Sequence, residues 1–167
     1  MSKAPALLIM IAGAALLVAC GQKTSSAPDQ AATPTEPASA PAIATPEQAK
    51  ALVATLPAPF NAGDPEAGKA KFTPCAACHT VTQGGPNMTG PNLYGIFGRK
   101  RASLTNFDYS DPFKAVGGTW DAAGIDTWIS GPQAMVPGTR MSFPGLKDPK
   151  DRADVIAYLK VATSPVP

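Results

Sequence analysis

Residues 75–79 read Cys75-Ala76-Ala77-Cys78-His79, and this pentapeptide decides how the rest of the 167-residue chain is read. Two thiols separated by two residues, with a histidine next, form the arrangement for covalent attachment of a c-type haem. Each thiol adds across one vinyl group, and the adjacent imidazole is thereby held under the iron as proximal ligand. A structural zinc site needs four ligands, and the chain has one His and three Cys with no second Cys/His pair. A thioredoxin-like redox pair is expected beside a βαβ pattern, which the sequence does not show. One such motif means one haem, which disfavours diheme peroxidases.

Working outward, composition bounds the remaining chemistry. The single His excludes a bis-histidine haem and a His-rich zinc cage. A net charge of +2 without a basic stripe argues against nucleic-acid binding. The length suits one domain with an appendage.

The appendage is at the N-terminus. Lys3 is followed by an apolar run from Ala6 to Ala19 that ends at Cys20. The run is shorter than the roughly 20 residues of a membrane-spanning helix and reads as a secretory signal over residues 1–19. Leu17-Val18-Ala19-Cys20 resembles a bacterial lipobox, which makes Cys20 the acylated residue of a mature lipoprotein. Each buried methylene contributes about 0.8 kcal/mol, so several acyl chains anchor where one does not. Gly21 after the cysteine weakly favours the outer membrane, without fixing inner or outer. Residues 20–59 are rich in Ala, Pro, Thr, Ser and Gln, with seven prolines after Gly21. Such a segment buries too little apolar surface to offset its ordering entropy and is expected to be a flexible linker. Within it, Thr45-Pro46-Glu47-Gln48 forms a capping-box pattern before Ala49, Leu52, Val53 and Leu56, predicting a short helix over 46–56.

With His79 used, the sixth iron position falls to Met, Lys, water or a substrate. The methionines after the signal are Met88, Met135 and Met141. Met88 lies nine residues after His79, on the attachment side. Met141 sits in Pro137-Gly138-Thr139-Arg140-Met141-Ser142-Phe143-Pro144-Gly145, between turn formers that hold a sulfur in place without a helix. It is the expected ligand.

From about Gly63 to Thr163 the chain resembles the class I, mitochondrial-type cytochromes c. The resemblance rests on Cys75-Ala76-Ala77-Cys78-His79, Gly90-Pro91-Asn92-Leu93-Tyr94-Gly95-Ile96-Phe97-Gly98-Arg99, Phe107-Asp108-Tyr109-Ser110, Trp120, and Pro137-Gly138-Thr139-Arg140-Met141. The four-helix-bundle cytochromes carry their motif near the C-terminus and are disfavoured. The resemblance implies an all-α domain over residues 60–167, with three main helices, short helices and loops wrapping one covalent haem. Helix signals agree: Asp64-Pro65 caps a first helix and Asp121 a middle one with Ile125, Trp128 and Ile129, ended by Gly131-Pro132. Asp148-Pro149 caps the last helix, with Asp151 in the capping-box position. The resemblance implies that the first and last helices cross closely at Gly68, with Phe72 and Tyr158 filling the contact.

It also implies roles around the haem. The Pro91 carbonyl accepts from His79, Arg99, Tyr109 and Trp120 contact the propionates, and Thr139 joins Met141 on the ligand loop. Trp128 stands where the family usually has a tyrosine reaching the methionine sulfur. Gln133 and Ala134 replace lysines that many relatives use in docking.

The reading is thus an electron carrier, not an enzyme: a monomer on the periplasmic side of a bacterial membrane, held by lipid on Cys20. The resemblance implies a quinol:cytochrome c reductase as donor and a terminal oxidase as acceptor. Two alternatives stay open at this point. One is a haem sensor or small redox enzyme with a labile sixth ligand, which lacks a distal acid/base. The other is a fixed subunit of a larger oxidoreductase, docked through the helix around Leu52 and Val53.

Overall fold

The structure, a computed structural model, describes residues 44–165. The expected signal over 1–19, the lipidation residue Cys20 and the linker up to residue 43 lie outside the described residues.

Each helix begins where a capping residue meets a proline or a small residue. Thr45 starts α1 (Pro46–Ala54) with a complete capping box: its hydroxyl accepts from the Gln48 N–H, and the Gln48 side chain accepts from the Thr45 N–H. Asp64 caps α2 (Pro65–Ala76) by accepting from the N–H groups of Glu66 and Ala67. α3 (Asp111–Lys114) is a single turn opened by Pro112. Asp121 accepts from the Gly124 N–H to cap α4 (Ala122–Ser130), and α5 (Pro132–Met135) follows directly after Gly131. Asp148 accepts from the Lys150 N–H at the start of α6 (Pro149–Thr163). The described residues form no named strand, only one antiparallel bridge between Lys100 and Thr119.

The principal helix pair is α2 against α6. A Cβ at Gly68 would overlap the Asp154 carbonyl, so only glycine allows this approach. Phe72 and Tyr158 close the crossing with ring centroids 5.2 Å apart. Val155, Ile156 and Leu159 of α6 are buried at the centre of the core. A carboxylate is buried with them. Asp154, 2 % exposed, accepts from the Asp64 N–H at 2.9 Å and from Lys150 Nζ at 2.6 Å. It thereby ties the start of α2 to α6.

The structure adds detail to the expectations at four points. The short helix expected within the linker docks on the domain: α1 packs on α6 and on the 3-10 turn Phe60–Ala62, with Val53, Leu56 and Phe60 buried. The predicted helix 46–56 stops at Ala54, because Thr55 and Leu56 already turn back toward Leu52 and Val53 ahead of Pro57. The apolar side chains expected to dock on a larger assembly are partly spent inside the domain, since Val53 is buried and Leu52 half-buried. Finally, Asp151 does not reach back to the α6 cap. Its carboxylate pairs with Lys71 of α2 at 3.0 Å, across the helix crossing.

Candidate haem site

The attachment motif grows out of α2. Cys75 lies in the last helical turn, and the N–H groups of Cys78 and His79 both donate to its carbonyl, at 3.0 and 2.9 Å. This tight wrap presents both thiols and the imidazole to the same side, and the two cysteines are free. Burial pushes the Cys75 thiol up from its ordinary value, against a backbone hydrogen bond that lowers it.

His79 is oriented from behind. Its Nδ1 lies 2.7 Å from the Pro91 carbonyl oxygen. A carbonyl only accepts, so Nδ1 carries the proton and Nε2 keeps a lone pair for a metal. Burial lowers the imidazole pKa, opposed by the Pro91 contact. The carbonyl is itself held by its neighbours: Asn92 donates from its side chain to Thr80 Oγ1 at 2.6 Å and from its backbone N–H to Asn87 Oδ1 at 2.9 Å. Gly90 completes the seat, because a Cβ there would overlap the His79 ring.

These groups open into a cavity of about 610 Å³ lined mainly by apolar side chains. Cys75, Cys78, His79, Pro91, Arg99, Tyr109, Trp120, Thr139 and Met141 all line it, so the fold brings every sequence-predicted cofactor residue into one space. Trp128 lines it as well, packed on Phe113 with centroids 4.9 Å apart. Arg99 spends two N–H groups on the carbonyls of Tyr94 and Asn92, at 3.1 and 3.0 Å. Burial draws its pKa down, and Tyr109 beside it works the other way. The Tyr109 hydroxyl is raised by burial, with the Arg99 cation opposing.

Of the methionine candidates, Met135 is absent from the cavity wall and packs half-buried on the core. Met88 does line the cavity but is tied to the attachment side: its N–H donates to Gly90, whose N–H donates to Cys78. Met141 arrives on the late loop. Its N–H approaches Thr139 Oγ1 at 3.4 Å, and Gln133 Nε2 donates to the carbonyls of Thr139 at 2.7 Å and Met141 at 3.3 Å.

Three contributors escaped the sequence reading. Gly90 seats the imidazole and Gln133 clamps the Met141 loop. The third is Ser110, 8 % exposed, which lines the cavity with an Oγ that has no protein partner. A buried hydroxyl without a partner is costly and points to a group that completes it. The residues therefore fit a haem. The volume lies within the roughly 300–1,000 Å³ of small-molecule sites, and its wall offers an imidazole nitrogen and thioether sulfurs as donors that would suit a haem iron. Among the described residues no cluster of three or more His, Cys, Asp or Glu is placed to hold a bare metal ion.

Comparison with known proteins settles the class. The cytochrome c family profile matches residues 65–163, more than half of the chain. The chain belongs to the cytochrome c family. It is 52% identical over 98 residues to cytochrome c-554 of Methylosinus trichosporium, covering 59% of this chain and 74% of that protein. It is 48% identical over 98 residues to cytochrome c2 of Rhodoblastus acidophilus, covering 59% and 92%. Against cytochrome c of Ginkgo biloba it is 46% identical over 103 residues, covering 61% and 91%. The cofactor of this cytochrome is accordingly one covalent c-type haem, with Cys75 and Cys78 as the attachment pair. Its role is that of a haem-based electron carrier. The helix α1 lies wholly before the matched region, as an addition to the family's core.

Proposed function

We propose that this cytochrome is a membrane-tethered, single-electron shuttle whose haem iron is held between His79 and Met141. One observation carries the reading. The cavity unites the attachment thiols, an imidazole with its Nδ1 proton fixed on Pro91, and a clamped methionine from a distant loop. Bound haem supplies a ferric/ferrous couple. The chain's part is to keep both axial donors in place through the cycle, so that little reorganises. The Pro91 carbonyl holds the imidazole in one tautomer and raises its basicity. Gln133 and Thr139 restrain the loop on either side of Met141. Arg99, Tyr109, Trp120 and Ser110 supply a cation and polar donors for the propionates, whose burial requires compensation.

The tether follows from sequence alone. The short apolar run before Cys20 supports export and acylation, which places the domain on the periplasmic side of a bacterial membrane. Among the described residues, no helix is long and apolar enough to cross a membrane. Attachment by a lipid raises the effective concentration of the domain near membrane-bound redox partners. A quinol:cytochrome c reductase as donor and a terminal oxidase as acceptor fit that position, with the domain acting as a monomer.

The visible spectrum of the purified protein, oxidised and reduced, with and without carbon monoxide, tests the ligand set. A low-spin c-type spectrum unmoved by carbon monoxide is expected, and Met141→Ala should acquire carbon monoxide binding. A shift in the unsubstituted protein would mean an open sixth position and would end the simple-carrier reading. Mass measurement of the membrane-extracted protein tests the tether, with diacylglycerol on Cys20 as the expected N-terminal residue.

A further inference from the structure

Arg101 lies behind the cavity wall and belongs to neither the attachment motif nor the ligand loop. Its guanidinium carbon lies 4.8 Å from the ring centroid of Trp120, and Trp120 is 7 % exposed and forms part of the haem cavity wall. Nη1 donates to the Gly117 carbonyl at 3.3 Å, while Nε is buried without a partner. No carboxylate among the described residues lies within ion-pairing distance of it. Asp121 flanks the same glycine, Gly124, as the guanidinium but outside ion-pairing distance, and its Oδ1 accepts from the Gly124 N–H at 2.6 Å.

The surrounding chain is shaped for this side chain. A Cβ on Gly124 would sit on Nη2, and Gly118, at φ +74°, takes a left-handed conformation that favours glycine. Ala102, next in sequence, is at φ 54°, a region costly for a residue with a Cβ. The backbone N–H of Arg101 is fixed to the Gly118 carbonyl at 2.9 Å. A cation is thus immobilised against an aromatic wall with no ion pair among the described residues.

We propose that Arg101 is a positioning residue for the redox equilibrium, a fixed cation behind Trp120 that favours the reduced haem over the oxidised one. The inference rests on the haem-carrier reading. Reduction adds one electron, delivered by the donor protein, and lowers the cofactor's charge by one. A cation held nearby in a medium of low dielectric stabilises the state with the extra negative charge. Stacking on Trp120 also steadies the indole through a cation–π contact, which a purely packing role would share.

Spectroelectrochemical titration of the full-length holoprotein separates the two roles. Arg101→Met keeps the apolar stem and removes the charge, and it should lower the midpoint potential while leaving the c-type spectrum and carbon monoxide behaviour intact. Arg101→Lys keeps the charge and should restore most of the shift. A wild-type potential in Arg101→Met would overturn the proposal. So would equal shifts in the Met and Lys variants, because packing and not charge would then be responsible. If Arg101→Met does not accumulate as a haem protein, Arg101→Gln, which retains donors toward Gly117, is titrated with the same expectation. Absence of a c-type spectrum from the unsubstituted protein would instead refute the haem-carrier reading, a result distinct from an unchanged potential.

Discussion

At the scale of single residues, the site depends on groups that touch no cofactor. Gln133 binds the carbonyls of Thr139 and Met141, and each net hydrogen bond of this kind is worth about 1 kcal/mol. Gln133→Ala should loosen the loop without unfolding the domain. The expected outcome is carbon monoxide binding by the reduced variant to a fraction of the haem, read from the spectrum, where the unsubstituted protein binds none. Asp154 acts on stability instead. Burial works to raise its pKa, but the Asp64 N–H and Lys150 outweigh that and hold it below its ordinary 3.8. A carboxylate depressed in the folded state stabilises fully above its unfolded pKa, and that contribution disappears as pH falls through the folded value. Asp154→Ala should therefore cost about 1.5–3 kcal/mol near neutrality, the range for hydrogen bonds to a charged group. Urea midpoints of variant and parent should converge as pH drops below the carboxylate range. A gap that persists in acid would mean that the loss comes from packing alone.

Among the elements, α1 lies before the residues that the family profile matches. Leu56, which follows it, is 6 % exposed and joins the main core, so Leu56→Ala should cost about 2–5 kcal/mol as a cavity in a packed interior. Thermal melts of the holoprotein would show it as a lowered midpoint, and an unchanged midpoint would mean that the segment rests on the domain without contributing to it. This helix also shows what the sequence could and could not disclose. Its capping box is a local, four-residue chemical arrangement and was legible at once, as were the Asp caps of α2, α4 and α6. Its docking was not, because Val53 and Leu56 are diluted in a Pro- and Ala-rich stretch and their partners are a hundred residues away. The one-turn helices α3 and α5 left no periodic pattern to read, since four residues cannot show an apolar stripe. The same division holds in the site. The attachment motif, the Pro91 contact and Met141 were recoverable from short motifs and the resemblance they carry. Gly90 lay inside a quoted motif, but its need to be glycine follows from where the His79 ring lands. Ser110 and Gln133 acquire their roles only when distant loops converge. Asp151 illustrates the reverse error: a correct position for a capping box, claimed in the fold by Lys71.

For the molecule as a whole, the distribution of charge matters more than its sum. Residues 60–167 hold 11 Lys and Arg against 9 Asp and Glu, a net of +2. On the exposed side of the cavity charge is paired within the chain: Arg140 bonds Asp108 at 2.7 Å, and Lys114 lies 3.7 Å from Asp108 and 3.1 Å from Asp111. The Asp108 pKa is lowered from its ordinary 3.8, chiefly by the hydrogen bond to Arg140. Beside these pairs the surface is uncharged, with Met88 46 % exposed and neutral Asn87 and Asn106 also at the cavity. Long-range steering needs a patch of one sign, and such patches raise association rates by about 10–10³ at low salt. This arrangement should give little of that gain. The second-order rate of oxidation by ferricyanide, a small anion that reports the local potential, is expected to change less than about tenfold as the Debye length shortens from about 30 Å to about 8 Å. Asp108→Asn, which releases Arg140 and Lys114 from their shared partner, should raise the rate at low salt and steepen its fall. A steep dependence in the unsubstituted protein, or none added by the substitution, would show that these pairs do not control the field a partner meets at the haem.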